Sequence, residues 1–199
     1  MSAIQWGFEI LPRAQTAPLF KQVHGSGVVE LPSTSPLTLQ EADAGFTRKS
    51  GVRVSVLTAD CLPVLLYSDA LDSPIAAIHA GWRGALRGVV QETVRRAELV
   101  PRQTHAVLGP CIGQCCFEVK DDFIAAFKAQ GRPVDPYLRE HEGRWFCDLV
   151  GFVLGEELRE VASIDQTHNR CTVCTLPLLP SYRRNGKADP SIRSWIERV

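Results

Sequence analysis

VRVSVLTADCLPVLLYSDALDSPIAAIHAGWRGALRGVVQETVRRA, residues 52–97, decides the fold. Val52 to Leu57 alternates and is rich in β-branched residues, which predicts a strand. Leu62 to Tyr67 and Ile75 to His79 are two further apolar runs of strand length. After Gly81 the period changes. Trp82, Leu86, Val89, Val90, Val94 and Ala97 recur at helical spacing, while Arg83, Arg87, Gln91, Glu92, Arg95 and Arg96 take the other face, predicting one amphipathic helix from Trp82 to Ala97.

Downstream, His105 to Leu108 reads as a strand ending at Gly109-Pro110. A helix is expected from about Val119 to Gln130, stopped by Gly131 and Pro133, with Phe123, Ile124 and Phe127 facing inward. Trp145 to Asp148 reads as a short strand, with Asp148 placed to cap a helix carrying Leu149, Phe152, Val153 and Leu158. From Ile164 onward the chain reads as mostly irregular, and Leu31 to Pro36 reads as a loop. Strands and helices in this order predict an α/β (α+β) sandwich with mixed β-sheets flanked by helices. No strand leads into the glycine-rich turn of a dinucleotide site.

The chain has 199 residues, the length of one ordinary domain, so one domain over 1–199 is expected. Its 45% hydrophobic and 22% charged residues exclude a disordered or collagen-like chain. Lys+Arg 22 balance Asp+Glu 22, which argues against a surface built for nucleic acid or anionic membrane. No apolar run reaches the roughly 20 residues that span a bilayer. Glu9, Arg13 and Lys21 interrupt any secretory core near the start, so the chain reads as cytoplasmic. Seven cysteines form an odd set, expected to be mainly thiols. Five histidines are too few for a mononuclear plus trinuclear copper centre, so copper is the less favoured metal.

Three stretches place a metal ligand or nucleophile beside turn residues at an apparent strand end: His24 in KQVHG, Cys61 in TADCLP and His79 in AIHAGWRG. Two imidazoles and a thiolate suit Zn²⁺ and leave a fourth position for water or substrate. From spacing alone, a core cysteine with two surface histidines is the simpler account. Cys171-Thr-Val-Cys174 has the spacing of half a zinc ribbon or of a redox dithiol. A second such pair is absent. Cys115-Cys116 fits poorly as a complement, because adjacent cysteines point in different directions, so packed thiols are expected there. Arg183 and Arg184 in SYRRNG, and Arg83 beyond His79, are candidate anion holders, each equally readable as a solvated charge.

Taken in order, KQVHG, EADAGFT, TADCLPVLL, AAIHAGWRG, LGPCIGQCCFEV, CTVC and SYRRNG resemble the bacterial laccase-domain (YfiH-type) family from about Phe20 to Gly186. That family was first labelled multicopper polyphenol oxidase and was later described as purine nucleoside phosphorylase, and also as a peptidoglycan editing factor. The resemblance implies a zinc site of His24, Cys61 and His79. It also implies phosphorolysis of adenosine, inosine and methylthioadenosine, with adenosine deamination as an additional activity. Under it, Gln22, Arg83, Arg183 and Arg184 become candidate substrate and phosphate holders. Asp60 becomes a candidate general acid/base, or the partner that orients His24 or His79, and the zinc organises the nucleoside and activates water for deamination.

Two departures accompany the resemblance. Relatives usually carry a longer segment before QVHG, so the domain reads as shortened at its N-terminus, and Asn185 stands where Asp is usual. Both put purine specificity in question. The alternatives from other classes are a Cys/His hydrolase editing a peptidoglycan precursor, with Cys61 as nucleophile and His79 as base, and a catalytically impaired nucleoside-binding relative.

Overall fold

The computed structural model describes residues 3–12, 15, 18–32, 40–70, 72–187 and 190–199. The expected loop at Leu31–Pro36 lies, from residue 33 onward, outside the described residues. In chain order the strands are β1 (Ile4–Leu11), β2 (Val28–Glu30), β3 (Ala44–Thr47), β4 (Val54–Thr58), β5 (Leu62–Ser68) and β6 (Ile75–Ala80). Two helices follow, α1 (Trp82–Leu86) and α2 (Val89–Ala97). Then come β7 (Thr104–Leu108), β8 (Glu118–Val119), α3 (Asp121–Ala129), β9 (Leu138–His141), β10 (Arg144–Cys147) and α4 (Leu149–Glu156). The chain closes with β11 (Ser163–Asp165), α5 (Tyr182–Asn185) and β12 (Ser191–Arg198).

The central sheet runs in the order β11-β7-β5-β6-β3-β2 and is mixed: its two outer pairs are parallel and its inner pairs antiparallel. The period-2 alternation of β5 and β6 sorts their side chains between two cores. Leu62, Val64, Leu66, Ala76, Ile78 and Ala80 pack toward α2, α3 and α4, where they join Val89, Phe123, Phe127 and Phe152. Leu65, Ile75 and Ala77 pack on the other face with Val54, Val56 and Ile196 of the small antiparallel sheet β1-β12-β4. Sheet on sheet with helices outside is the expected sandwich.

Two expectations need correction. The predicted single helix from Trp82 to Ala97 is broken: Arg87 ends α1, and Gly88 takes φ +74° before α2 begins. The left-handed step is open to glycine and interrupts the helical hydrogen-bond ladder, while the apolar residues on both sides still reach the same sheet. The tail is irregular through most of residues 166–190, as expected, but it ends in a strand that this expectation leaves out. β12 is the middle strand of the small sheet, and Ile192, Ser194, Ile196 and Arg198 are buried in alternation along it. Arg198 lies inside because its guanidinium donates to the carbonyls of Ser68 and Ser73. A strand carrying Ser and Arg at its inward positions shows little hydrophobic alternation in sequence. Asp148 caps α4 as expected, accepting from Gly151 N–H at 2.8 Å.

Glu157, at the end of α4, joins the helical layer together by accepting from Val90 N–H in the first turn of α2 at 2.8 Å. Burial is the largest influence on its carboxyl and outweighs the Val90 bond and the Arg132 charge, raising it from 4.5 to about 7. Between those two values the folded protein holds a proton that the unfolded chain has released. The associated stability is therefore present below pH 4.5 and is lost as pH rises through about 7. Glu157→Gln should flatten that slope and stabilise the protein at pH 8 by on the order of 1–3 kcal/mol. Thermal melts of both proteins from pH 5 to 8 check it; parallel curves would refute it.

Candidate active site

Strand register brings the candidate ligands together. Leu62 pairs with Ala80 across β5 and β6, so Cys61, one residue earlier, faces Gly81, and Pro63 pairs with His79. Ala44 pairs with Ile78 across β3 and β6, which sets Asp43 opposite His79. These positions share the parity of Leu65 and Ala77 and therefore open on the side of the small sheet. His24 arrives from the loop before β2. The ligand atoms of His24, Cys61 and His79 all lie within 4.8 Å of one another, and the two imidazoles meet edge to face at 4.7 Å between centroids.

Asp43 organises this group, and the reading of the sequence did not single it out. Its fully buried carboxylate accepts from the backbone N–H groups of Val23 (3.3 Å), His24 (2.9 Å) and Gly25 (2.6 Å), and lies 2.7 Å from His79 Nδ1. The loop is thereby wrapped around a negative charge. Burial acts to raise the Asp43 pKa, but the His79 bond and the backbone donors prevail and hold it below its usual value. His24 sits at φ +59°, a conformation that costs a side-chain-bearing residue energy and that the Asp43 contacts sustain. Arg87 adds a bond from its guanidinium to the His24 carbonyl at 3.1 Å. An acidic residue among small ones directly before an apolar strand, as in EADAGFT, is the signal that points to Asp43.

The donors fit a metal such as zinc. With Nδ1 directed at Asp43, His79 turns Nε2 toward Cys61, the usual arrangement in which a carboxylate fixes the tautomer of a ligating imidazole. Gly81 leaves the space: a Cβ there would come within 2.9 Å of Cys61 Sγ and 3.1 Å of His24 Cδ2. Burial works to raise the Cys61 thiol, but the His79 charge and hydrogen bonds from both histidines bring it down to about 6. For His79, burial works downward, and the Cys61 and Asp43 charges prevail and lift it to about 9. Thiolate and imidazolium therefore stabilise each other.

The group opens into a cavity of about 850 Å³ whose wall includes Gln22, Leu57, Trp82, Phe117, Tyr182 and Arg183. Arg83 also lines it, with its guanidinium 4.2 Å from the Trp82 ring and no carboxylate paired with it among the described residues. Gln22 spends its amide on the backbone of Leu57, giving and receiving one bond of 2.8 Å each. Asp60 lies at φ +94° and contacts neither histidine: its carboxylate accepts from Thr172 Oγ1 at 2.5 Å and from the Arg183 backbone N–H at 2.6 Å. The Arg183 side chain donates to the carbonyls of Cys116 and Glu118 at the cavity edge. Arg184 is absent from the lining, and its guanidinium binds the carbonyls of Thr172, Val173 and Leu179.

Residues 8–192 match the family model described as multi-copper polyphenol oxidoreductase laccase. The chain belongs to that family. Among curated members, the purine nucleoside phosphorylase YfiH of Escherichia coli (strain K12) is 35% identical over 167 residues, covering 83% of this chain and 67% of the relative. A purine nucleoside phosphorylase of Aquifex aeolicus is 34% identical over 159 residues, covering 78% and 71%. Among solved structures, Neisseria meningitidis protein NMB0706 superposes with a TM-score of 0.77 at 32% identity, covering 90% of this chain and 73% of that one. YlmD from Geobacillus stearothermophilus gives 0.74 at 25% identity, covering 91% and 73%. Within the family fold, no helix of the described residues is long and apolar enough to cross a membrane.

Proposed function

We propose that this protein is a zinc-dependent purine nucleoside phosphorylase acting on adenosine, inosine and methylthioadenosine, with adenosine deamination as a second activity. One observation carries the reading. A single cavity of nucleoside size joins the His24, Cys61 and His79 group to two guanidinium groups and to aromatic walls. Relatives named purine nucleoside phosphorylase support it.

In phosphorolysis a phosphate oxygen forms a bond to the ribose C1′ as the C1′–N9 bond breaks. The electron pair leaves with the purine, which takes up a proton, and ribose 1-phosphate remains. Arg83 and Arg183 hold the phosphate, since planar guanidinium groups match its oxygens. Asp60, through its bond to the Arg183 backbone, positions that guanidinium's turn, while Trp82, Phe117 and Tyr182 offer faces to the base. Zinc held by His24, Cys61 and His79 would supply Lewis acidity and fixed positive charge on the cavity wall. Seven free cysteines suit a reducing compartment, the cytoplasm.

The test is incubation of the purified protein with adenosine, with and without phosphate, followed by chromatography. Adenine and ribose 1-phosphate are expected only with phosphate, and inosine in either tube would report deamination. Absence of all three would overturn the assignment. A second reading, a Cys/His hydrolase, is favoured by the low thiol pKa of Cys61 beside a protonated His79. Amide cleavage by chelated, metal-free protein would select it.

A further inference from the structure

Four of the remaining cysteines lie together away from β5 and β6. Cys115 and Cys116 follow Cys111, which makes an isolated parallel bridge with Cys171, and Cys174 lies one turn beyond Cys171. The four Sγ atoms are all within 4.8 Å of one another, and those of Cys115 and Cys174 are 3.5 Å apart. Four thiolates around one ion with metal–sulfur bonds of about 2.3 Å stand about 3.8 Å apart, whereas an iron–sulfur cluster holds its cysteines farther from one another. The spacing is that of a mononuclear centre.

Adjacent cysteines are expected to diverge. That holds for a strand, where neighbours point in opposite directions, but residues 114–116 form a turn in which Cys116 and Phe117 both donate to the Gly113 carbonyl. Neighbours on a turn of helical sense diverge by only about 100° and can reach a common centre. Gly113 is shaped to this cluster: a Cβ there would meet Cys171 Cβ at 3.2 Å and Cys115 Sγ at 3.3 Å. Its N–H donates to Cys171 Sγ at 3.3 Å, and the N–H groups of Val173 and Cys174 also point at that sulfur. Backbone donors converging on the first sulfur of a Cys-x-x-Cys turn favour the thiolate form that a metal needs.

We propose that Cys115, Cys116, Cys171 and Cys174 hold one zinc ion as a tetrahedral tetrathiolate, a structural site separate from His24, Cys61 and His79. A closed shell of four protein ligands leaves no position for substrate, so its role is to fix two loops. Both loops support the cavity. Ile112 and Phe117 line it, Thr172 donates to Asp60, and Arg184 bonds the carbonyls of Thr172 and Val173. The ion thus secures the backing of the Asp60 and Arg183 turn.

The test uses the full chain, reduced, loaded with Zn²⁺, freed of excess metal and measured by native mass spectrometry and elemental analysis. Two zinc ions per chain are expected in the parent, one in Cys61→Ala and one in the double variant Cys115→Ser/Cys174→Ser, whose melting temperature should fall by several degrees. Co²⁺ in Cys61→Ala should show the intense absorption of a tetrahedral thiolate site. If the double variant does not fold, Cys61→Ala decides alone: one retained zinc sustains the proposal, and none overturns it. A Cys115–Cys174 disulfide in place of bound metal in the reduced, zinc-loaded parent also overturns it. One zinc in both parent and Cys61→Ala would leave this site standing and remove the His24, Cys61 and His79 centre instead.

Discussion

Cys61→Ala protein is expected to lose the zinc bound with His24 and His79 and, with it, phosphorolysis by at least about 10³-fold, the equivalent of the several kcal/mol that a Lewis-acid charge contributes. The thiolate is the anionic member of the ligand set, and it is already favoured before metal arrives, with a pKa of about 6. At neutral pH the thiol has already given up its proton, and the proton that a metal must displace is the one on His79. Alanine leaves two imidazoles, of which only His79 is fixed by a carboxylate. The fold should be retained, because a half-buried cysteine at the start of β5 contributes little packing. Activity against adenosine, zinc content and thermal melts of parent and variant check the result. A fully active Cys61→Ala protein with no zinc at this centre would sink the metal assignment. If instead the variant is inactive while chelated parent still cleaves an amide, the lost group is a nucleophile.

What could be read in the sequence divides by the range of the interaction. Local periodicity was enough for the strands around Val54, Leu62 and Ile75 and for the helical face of Val89 and Val90, because a buried face repeats within one element. It was enough for the cap at Asp148. It fell short where the decisive contact is distant. Asp43 gains its importance from strand register, which sets it opposite His79, and from a loop 18 to 20 residues away that it clamps. Arg198 is buried by two carbonyls more than 120 residues away, so its strand shows a charge where an apolar residue is expected. Gly88 divides a helix whose amphipathic pattern continues unbroken through it. Asp60 stands beside Cys61 in sequence, yet its carboxylate turns to Thr172 and Arg183. The resemblance makes Asp60 a candidate partner for the histidines, whereas the carboxylate beside His79 is that of Asp43, directly before β3.

Asp43→Asn should lower zinc affinity and activity by about 10–100-fold, the range found when the carboxylate behind a ligating histidine is removed. The physical reason is hydrogen-bond polarity. Asp43 has two oxygens and four donors facing it: Oδ1 serves His24 N–H and His79 Nδ1, and Oδ2 serves Val23 N–H and Gly25 N–H. Asparagine keeps one oxygen and replaces the other with an NH₂ group. If the oxygen stays on the Val23 and Gly25 side, the NH₂ faces His79 and forces Nδ1 to accept. The ring proton then moves to Nε2, the nitrogen turned toward Cys61, and His79 can no longer ligate. If the oxygen faces His79, the NH₂ opposes two backbone N–H groups and the loop carrying His24 is released. Either arrangement disables one histidine. Loss of a buried charge and its bonds should also cost about 3–5 kcal/mol of stability, or roughly 6–20 °C in melting temperature for a chain of this size. Zinc titration and melts of Asp43→Asn beside the parent measure both effects. A variant that binds zinc as tightly as the parent would show that His79 is oriented by the sheet backbone alone, through its own N–H bond to the Asp43 carbonyl at 2.7 Å.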